Sequence, residues 1–576
     1  IVQSGGTIAG TGTLPTTTIE AGGLLAPGNS IGTLTVNGNH SLNGGRLAIE
    51  IQGPQNDRIV VTGTVNPFTG TAALISYGGG TAWPTFIYPI LNANASVPFA
   101  SPTSLRLDSS QITPSALLQW GTTLIQDADA NPRSFDVQWR PNNGSGAVAS
   151  AMQALAPSTA NAGAAAAVFD AGFNRLAAAS AGNSHASGAA IGATGFTAGQ
   201  AAAAGLSSDF VNRLAALLAI PSGAQLQLAV NSITPESYAA FQSVGLNALR
   251  LQRETVINQA GTCQQTGWAI QASPTGVGST SPQAGHWPLC AFATGGTATS
   301  SINGSAGLSG YDSAISGGFY GLEVQPREGW TVGLAYGYGT AGLDNLGAGF
   351  NSVNSNLNSA TLYGVYKSDQ RWQLKTLLGY ANASINGRRS LVSVGNGTAL
   401  SASTTGNGYT AALLADYTIP LGDPAARVPI QLKPQLGFAY GAFQQNGFRE
   451  TGDSTMALNV ASHTSQSFLA SIGAELVATI PLNKASSQLL KPRLAVTYQV
   501  DALADSNGNS SLDATLPATG VSFSTASLGR GANDVTVTGS LDYVISKQAS
   551  LVLTASYEAF STGSQFGYGG GIKIKF

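Results

Sequence analysis

Phe566-Gly567-Tyr568-Gly569-Gly570-Gly571-Ile572-Lys573-Ile574-Lys575-Phe576, the last eleven residues of the chain, decide the reading of the fold. Phe566, Tyr568, Gly570, Ile572, Ile574 and Phe576 share one parity, while Gly569, Gly571, Lys573 and Lys575 share the other. In a strand, that period of two puts the sets on opposite faces. A terminal strand with an apolar face would be an aggregation-prone edge in water. A closed outer-membrane barrel removes the edge, with the apolar row outside and the lysines inside.

The same alternation recurs upstream, and residues 287–576 hold twelve segments of this kind. The clearest apolar rows are Trp330/Val332/Leu334/Tyr336/Tyr338, Trp372/Leu374/Leu378/Tyr380, Tyr409/Leu413/Tyr417/Ile419 and Leu432/Leu436/Phe438/Tyr440. Phe468/Ile472/Leu476/Ile480, Leu494/Val496/Tyr498/Val500, Val535/Val537/Leu541/Tyr543/Ile545 and Leu551/Leu553/Tyr557 continue the series. The interleaved parity carries Lys375, Asp416, Lys433, Glu475, Lys491, Arg493, Asp501, Asp542 and Glu558, which with Lys573 and Lys575 are expected to face the lumen. Tyr and Trp near the segment ends suit interfacial girdles. Short turns at 325–329, 367–371, 422–427, 482–487 and 546–548 alternate with long loops expected near 295–310, 340–356, 386–406, 442–464 and 502–532. Short turns on one side and long loops on the other are the asymmetry of an outer-membrane barrel. An even strand count brings Phe576 and the first strand to the short-turn side.

Thr234-Pro235-Glu236 is a helix-start signature: a hydroxyl N-cap, proline in the first turn and a carboxylate behind it. The helical pattern runs from there to about Gln259, past Tyr238 and Phe241, within a segment 234–262. About 25 residues at 1.5 Å each exceed a bilayer core of about 30 Å. Arg250, Arg253 and Glu254 forbid lipid contact and suit a polar lumen.

Composition agrees with this architecture. Charged residues are 9% of the 576-residue chain, and there are 73 glycines; a typical soluble protein carries roughly 25% charge. Length alone suggests about four domains. A net charge of −2 without a basic stripe gives no argument for nucleic acid. No stretch is long and apolar enough for a transmembrane helix. The opening Ile1-Val2-Gln3-Ser4-Gly5-Gly6 reads like the middle of a repeat, so a longer exported precursor is expected.

Residues 1–140 hold short alternating runs such as Leu34/Val36, Leu47/Ile49/Ile51 and Ile59/Val61, separated by Gly-Asn, Asn-Gly and Gly-Gly turns. That pattern is expected to form a β-solenoid of stacked coils, with a β-sandwich as the competing arrangement. After Pro141-Asn142-Asn143-Gly144 the chain turns Ala-rich. Residues 141–233 are expected to be helical, near 147–156, 163–180 and 208–219, around a low-complexity link at 181–205. Phe210, Leu214, Leu217 and Leu218 share one helical face.

Several of these stretches resemble classical bacterial autotransporters of type Va secretion. Leu25-Ala26-Pro27-Gly28-Asn29-Ser30-Ile31-Gly32-Thr33-Leu34-Thr35-Val36, followed by Asp57-Arg58-Ile59-Val60-Val61-Thr62-Gly63, is similar to the autochaperone-like end of a β-helical passenger. Residues 234–262 resemble the linker helix that threads the family's pore, and 287–576 resemble its 12-stranded β-barrel. Tyr568, Ile572, Ile574 and Phe576 match the signal that the family presents to the barrel-assembly machinery. The resemblance implies a monomeric barrel in the outer membrane, touching lipid and carrying its own passenger to the cell surface. Some members cleave themselves at an asparagine pair inside the pore helix; here Asn142-Asn143 lies about ninety residues upstream in a linker and 234–260 holds no such pair, so no self-cleavage is expected. A diffusion porin is the first rival, and an enzyme or adhesin borne by an upstream passenger is the second.

No catalytic, metal-binding or cofactor motif stands out. His40, His185, His286 and His463 fall in four separate regions. Asp127, Asp129 and Asn131 imitate the start of a calcium loop, but the glycine at position six and the glutamate at twelve are missing. Cys263 and Cys290 flank the step from the helix to the first strand. They are expected either as a disulfide, which an oxidising periplasm allows, or as two buried thiols.

Overall fold

The computed structural model describes residues 1–52, 55–76, 87–93, 103–112, 115–125, 133–141, 160–181, 198–218, 220–262, 288–346, 351–368, 371–392, 394, 398–423, 426–483, 488–504 and 510–576. Two compact units account for the chain. One comprises Ile1–Ile233 with Leu391–Gly397 and Leu516–Phe523; the other comprises Thr234–Ser390, Thr398–Thr515 and Ser524–Phe576.

In the first unit the chain alternates between two sheets. Thr7–Gly10, Leu24–Pro27, His40–Gln52, Val65–Ser76 and Thr103–Gln111 pair in parallel in one sheet. Thr13–Leu14, Thr33–Val36, Arg58–Val61 and Ile87–Ala93 pair in parallel in the other. An antiparallel pair, Arg133–Pro141 and Leu118–Ile125, ends that second sheet. The registers stack like on like: Leu25 beside Leu47 and Ala72, and Leu34 beside Ile59 and Leu91, all buried. Gly28, at φ +91, makes the turn that other residues would resist. Asp57 explains why the two halves of the sequence signature belong together. Its carboxylate accepts hydrogen bonds from Gly32 N and Glu50 N, each at 2.8 Å, and so fastens the Pro27–Gly32 turn to the next strand.

The helical part of this unit contains Ala160–Ala181, Ala198–Ala203, Ser208–Leu218 and Gly223–Ile233. Phe169 stacks on Phe210 at 6.5 Å, and Leu214 and Leu217 are buried beside them. The helix at 223–233 has no counterpart in the sequence reading, because Gln225, Gln227 and Asn231 interrupt its apolar stripe. The expected helix at 147–156, the pair Asn142-Asn143, the candidate calcium residues Asp127, Asp129 and Asn131, and His185 and His286 lie outside the described residues.

In the second unit one antiparallel sheet of fourteen strands closes on itself. Two of the fourteen, Ile419–Leu421 and Ile480–Pro481, are short extensions, which leaves twelve staves. They are β1 (Leu289–Ile302), β2 (Tyr311–Arg327), β3 (Trp330–Leu346), β4 (Asn351–Ser368), β5 (Trp372–Ser390), β6 (Ala399–Tyr417), β7 (Ile430–Gln445), β8 (His463–Ala478), β9 (Leu489–Asp501), β10 (Asn533–Val544), β11 (Ala549–Phe560) and β12 (Gly563–Lys575). β12 pairs with β1 from Cys290↔Lys575 to Ile302↔Gly563, and Phe576 N donates to Leu289 O at 2.9 Å. No edge remains at that seam.

Three of the expected long loops are corrected. β1 continues to Ile302, β3 and β4 leave only 347–350 between them, and β5 and β6 leave only 391–398. The Asn/Ser/Thr-rich stretches read as loops are strand, because cross-strand pairing needs backbone groups rather than apolar side chains. The last connection on that side, Ser561–Thr562, is tight. The connections at 446–462 and 502–532 do stay long and carry short strands of their own. Phe448–Arg449, Asn459–Val460, Ser510–Leu516 and Val521–Ser527 form a four-stranded sheet.

The outer face is apolar and exposed. Leu378, Ile472 and Leu553 are 62%, 63% and 62% accessible, which in water would be a large uncovered patch. Two aromatic rows border it. Trp330 packs on Tyr366 at 4.7 Å and Trp372 on Tyr417 at 4.8 Å near the short turns. Toward the loops Tyr336, Tyr380 and Tyr498 donate to Asn358, Asn407 and Asn533 at 2.7, 2.8 and 2.9 Å. Trp372 and Tyr380 are eight residues apart on β5, about 26 Å along the strand at ~3.3 Å per residue. At a strand tilt of about 40° this is a height of ~20 Å, close to the apolar band of an outer-membrane barrel, about 25 Å tall.

Candidate functional site: the barrel lumen and its helix

Glu236–Gln259, 24 residues, is buried along nearly its whole length within the barrel unit. Its start corrects one expectation. Pro235 occupies the N-cap position without a side-chain capping bond, and Thr234 is buried beyond the helix end. Glu236 turns outward instead: its carboxylate accepts from Ser309 N at 2.8 Å and Ser309 Oγ at 3.1 Å. Ser309 lies in the β1–β2 loop, so the helix begins at the loop side of the barrel.

Along the lumen the helix keys into the wall. The Tyr238 ring meets Phe448 edge-on at 4.9 Å, and its hydroxyl donates to Glu450 Oε1 at 3.1 Å. Phe241 meets Phe443 at 6.1 Å, and Gln242 donates to Gln445 Oε1 at 3.0 Å. Gly245 passes closest: a Cβ there would lie 2.6 Å from the Phe443 ring. Asn247 donates to Gln565 at 2.7 Å, and Gln252 to Thr361 at 2.9 Å.

Arg250 is the most heavily bonded residue of the helix. Its guanidinium reaches Asp534 through two nitrogens at 2.8 and 3.2 Å, Glu558 at 2.5 Å and Glu254 at 2.8 Å. Arg530 balances Glu558 from the other side at 2.6 Å. A buried arginine is tolerable only with such a set of partners. Arg253 is buried too, 3.6 Å from Glu254.

The helix leaves at the short-turn side. Val256, Ile257 and Ala260 pack with Phe292, Ala335, Tyr363, Val365 and Leu377. Gly261 N donates to Glu323 Oε2 at 2.9 Å. Lys375 Nζ donates to Ile257 O at 3.0 Å, a cation at a helix C-terminus. Cys290, across the ladder from Glu323, is disulfide-bonded. Cys263, the only other cysteine of the chain, lies outside the described residues.

Beside the last turns of the helix, from Arg253 to Thr262, a cavity of about 1500 Å³ opens toward the short turns. Lys375, Asp416, Lys433, Glu475, Lys491, Arg493, Asp542 and Lys573 all line it. Lys433 and Arg493 flank Glu475 at 3.9 and 3.6 Å, and Arg493 and Lys573 flank Asp542 at 3.1 and 3.8 Å. Glu558 stands higher, with Arg250. Asp501 sits at the loop end of β9, accepting from Phe468 N and Leu503 N at 2.9 and 3.0 Å. Lys575 is half-buried at the rim. On the opposite parity Tyr568, Ile572, Ile574 and Phe576 are exposed on the outer face.

Sequence reasoning did not single out Arg389, Glu450, Arg530, Asp534 or Glu323. Parity alone could have found Arg389, Asp534 and Glu323, since each alternates with an outward row. Glu450 and Arg530 lie in the loops, where no period exists.

Comparison with known proteins adds the following. Residues 291–557 match the family model described as the autotransporter β-domain. Outer membrane protein A of Rickettsia rickettsii is 27% identical over 219 residues, covering 36% of this chain and 9% of the relative, so the chain spans under a tenth of that protein's length in the match. The translocator domain of autotransporter NalP from Neisseria meningitidis is similar in structure, with a TM-score of 0.43 and 13% identity, over 59% of this chain and 99% of that one. The transport unit of AIDA-I from Escherichia coli gives a TM-score of 0.38 and 13% identity over 58% and 99%. Residues 291–557, the greater part of the closed twelve-stranded barrel, therefore form an autotransporter β-domain.

Proposed function

We propose that the barrel is the route by which this chain's own N-terminal portion crosses the outer membrane, and that the Glu236–Gln259 helix is the segment left in the lumen when transfer ends. The observation that carries this is the bonded path of the helix. Glu236 bonds Ser309 at the loop side, Arg250 bonds Asp534 midway, and Gly261, just past the helix end, bonds Glu323 at the short-turn side. A diffusion channel would not hold its lumen this way.

On this reading residues 1–140 are the end of a stacked-coil passenger displayed at the cell surface, and 141–233 connect it to the helix. Burial of each parallel coil against the last, outside the cell, disfavours return. The inward row Lys375 to Lys573 keeps the lumen wet for a moving chain, and the outward row Tyr568, Ile572, Ile574 and Phe576 is the feature the barrel-assembly machinery reads. The barrel works as a monomer in lipid, moves polypeptide and catalyses no reaction. Cys290 is bridged to Cys263, which ties the helix exit to β1; alkylation of both cysteines without reductant would refute the bridge.

Protease added to intact cells tests the central reading. The expected result is loss of an epitope placed before residue 141, with the barrel protected. Loss of surface exposure on deleting 142–262, while the barrel still assembles, is the second expected result. An epitope that stays protected in intact wild-type cells overturns the proposal.

A further inference from the structure

The lumen wall is charged in two layers, with the arginines of the helix above the lower one. The upper layer is the carboxylate pair Asp534 and Glu558, both bonded to Arg250. The lower layer is a belt across β7–β10 and β12: Lys433, Glu475, Arg493, Asp542 and Lys573, with neighbours between 3.1 and 3.9 Å apart. Three cations share two carboxylates there, and the same cavity wall adds Lys375, Arg427 and Lys491 against the one carboxylate of Asp416, so the surplus stays positive. On β10 the inward residues between Asp534 and Asp542 are Thr536, Thr538 and Ser540, all neutral. Eight residues separate the two aspartates, about 26 Å along the strand.

We propose that this layering sets where the helix stops. Asp534 and Glu558 are positioning residues that capture Arg250. The cationic belt beneath them repels Arg250 and Arg253 and so bars retreat toward the short-turn side. A helix moving outward passes the belt, then neutral hydroxyls, and gains two carboxylates only at the top; moving back, it must strip Arg250 of those partners and climb again into the surplus of lysine and arginine. In a partly dry lumen both effects are stronger than in water. The inference rests on the reading that the helix arrives by transfer through the barrel, and it assigns the final register to named charges.

Full-length protein in lipid nanodiscs, with Cys263 and Cys290 replaced by serine so that no bridge pins the helix, carries spin labels at Asn258→Cys on the helix and Lys547→Cys on the β10–β11 turn. Pulsed-dipolar measurement is expected to give one narrow distance. Neutralising the upper layer (Asp534→Asn with Glu558→Gln) is expected to broaden or shift it by about one helical turn, ~5 Å. Asp534→Glu alone is expected to leave it narrow. Reversing the belt in the neutralised background (Arg493→Glu with Lys573→Glu) is expected to draw the helix further toward the short turns. Heat-modifiable mobility reports folding. Should the doubly neutralised barrel not assemble, Arg250→Gln supplies the same comparison from the helix side. An unchanged narrow distance in folded variants overturns the inference. Surface protease exposure in the same strains separates the two claims: an exposed N-terminal epitope with an unshifted helix defeats the register stop and leaves the transport reading standing.

Discussion

Arg389 and Glu450 form an ion pair with both side chains wholly shielded from solvent. Arg389 Nη2 and Nε reach the two carboxylate oxygens at 2.5 and 3.0 Å, Nη2 also donates to Met456 O at 3.1 Å, and Leu458 N donates to Glu450 at 2.9 Å. Arg389 belongs to β5, Glu450 to the β7–β8 connection, and Tyr238 of the helix bonds the same carboxylate. The pair therefore holds a loop, the wall and the helix together at the loop-side mouth. Breaking a buried pair by removing one partner leaves an uncompensated charge and costs about 3–5 kcal/mol. Glu450→Gln is expected to free residues 446–462 to added protease and to lower the temperature at which the barrel loses heat-modifiable mobility. Arg389→Met with Glu450→Leu, which removes both charges, is expected to recover much of that loss. A protected loop in Glu450→Gln would contradict the prediction.

Gly245 has no room for a side chain. Its missing Cβ would lie 2.6 Å from the Phe443 ring on β7, inside any real contact distance. Gly245→Val is expected to expel the upper part of the helix from the lumen, and Phe443→Ala, which removes the ring, to restore it. Conductance in a planar bilayer reads the difference: wild type nearly closed, Gly245→Val open, the double variant closed again. A closed Gly245→Val channel would count against the packing argument.

Much of the barrel was legible because its period is local. Lys573 and Ile574 differ by one position and face opposite media, so each strand announces both of its faces. The helix was legible for a similar reason, since Arg250 and Arg253 exclude lipid over a length that spans a bilayer. Its cap was not. Thr234-Pro235-Glu236 satisfies the local rule, but the carboxylate finds Ser309, 73 residues away, and a tertiary bond outweighs a capping preference. Loop ends were misjudged wherever Asn and Ser replaced apolar residues, because pairing with a neighbouring strand leaves no mark on such a stretch. The Arg389–Glu450 pair was hidden for the same cause: Glu450 joins it through a loop whose course depends on the closed barrel.

Leu413 tests the lipid face. It is exposed on β6 midway between Tyr409 and Tyr417, and opposes Thr376 on β5 and Phe438 on β7. A cationic side chain at the midplane of an outer-membrane barrel costs roughly 2–4 kcal/mol. Leu413→Arg is expected to lower unfolding stability in lipid by that amount, with little change for Leu413→Phe. Equal stability of the arginine variant would place this surface outside the bilayer.

His40 gives the first unit a pH dependence of known sign. It begins the strand His40–Gln52, is fully buried beside Phe68 at 6.3 Å, and burial pushes its imidazole from 6.5 down to about 4. Between those values the unfolded chain takes up a proton that the folded chain refuses. The contribution is complete above pH 6.5 and is lost as pH falls toward 4, up to about 3 kcal/mol. Asp57 acts in the opposite sense, because burial raises its carboxyl to about 7 and folding then favours the protonated form as pH falls from 7 toward 3.8. The wild-type curve is therefore flattened, and only a difference curve isolates His40. Hydrogen exchange at the buried amides of Leu42 and Leu47 supplies it. His40→Phe is expected to gain protection relative to wild type steadily from pH 6.5 to 4, and to run parallel to it above pH 7. Parallel curves across the whole range would mean that the imidazole is charged in the folded protein, and that the burial of His40 carries no penalty in acid.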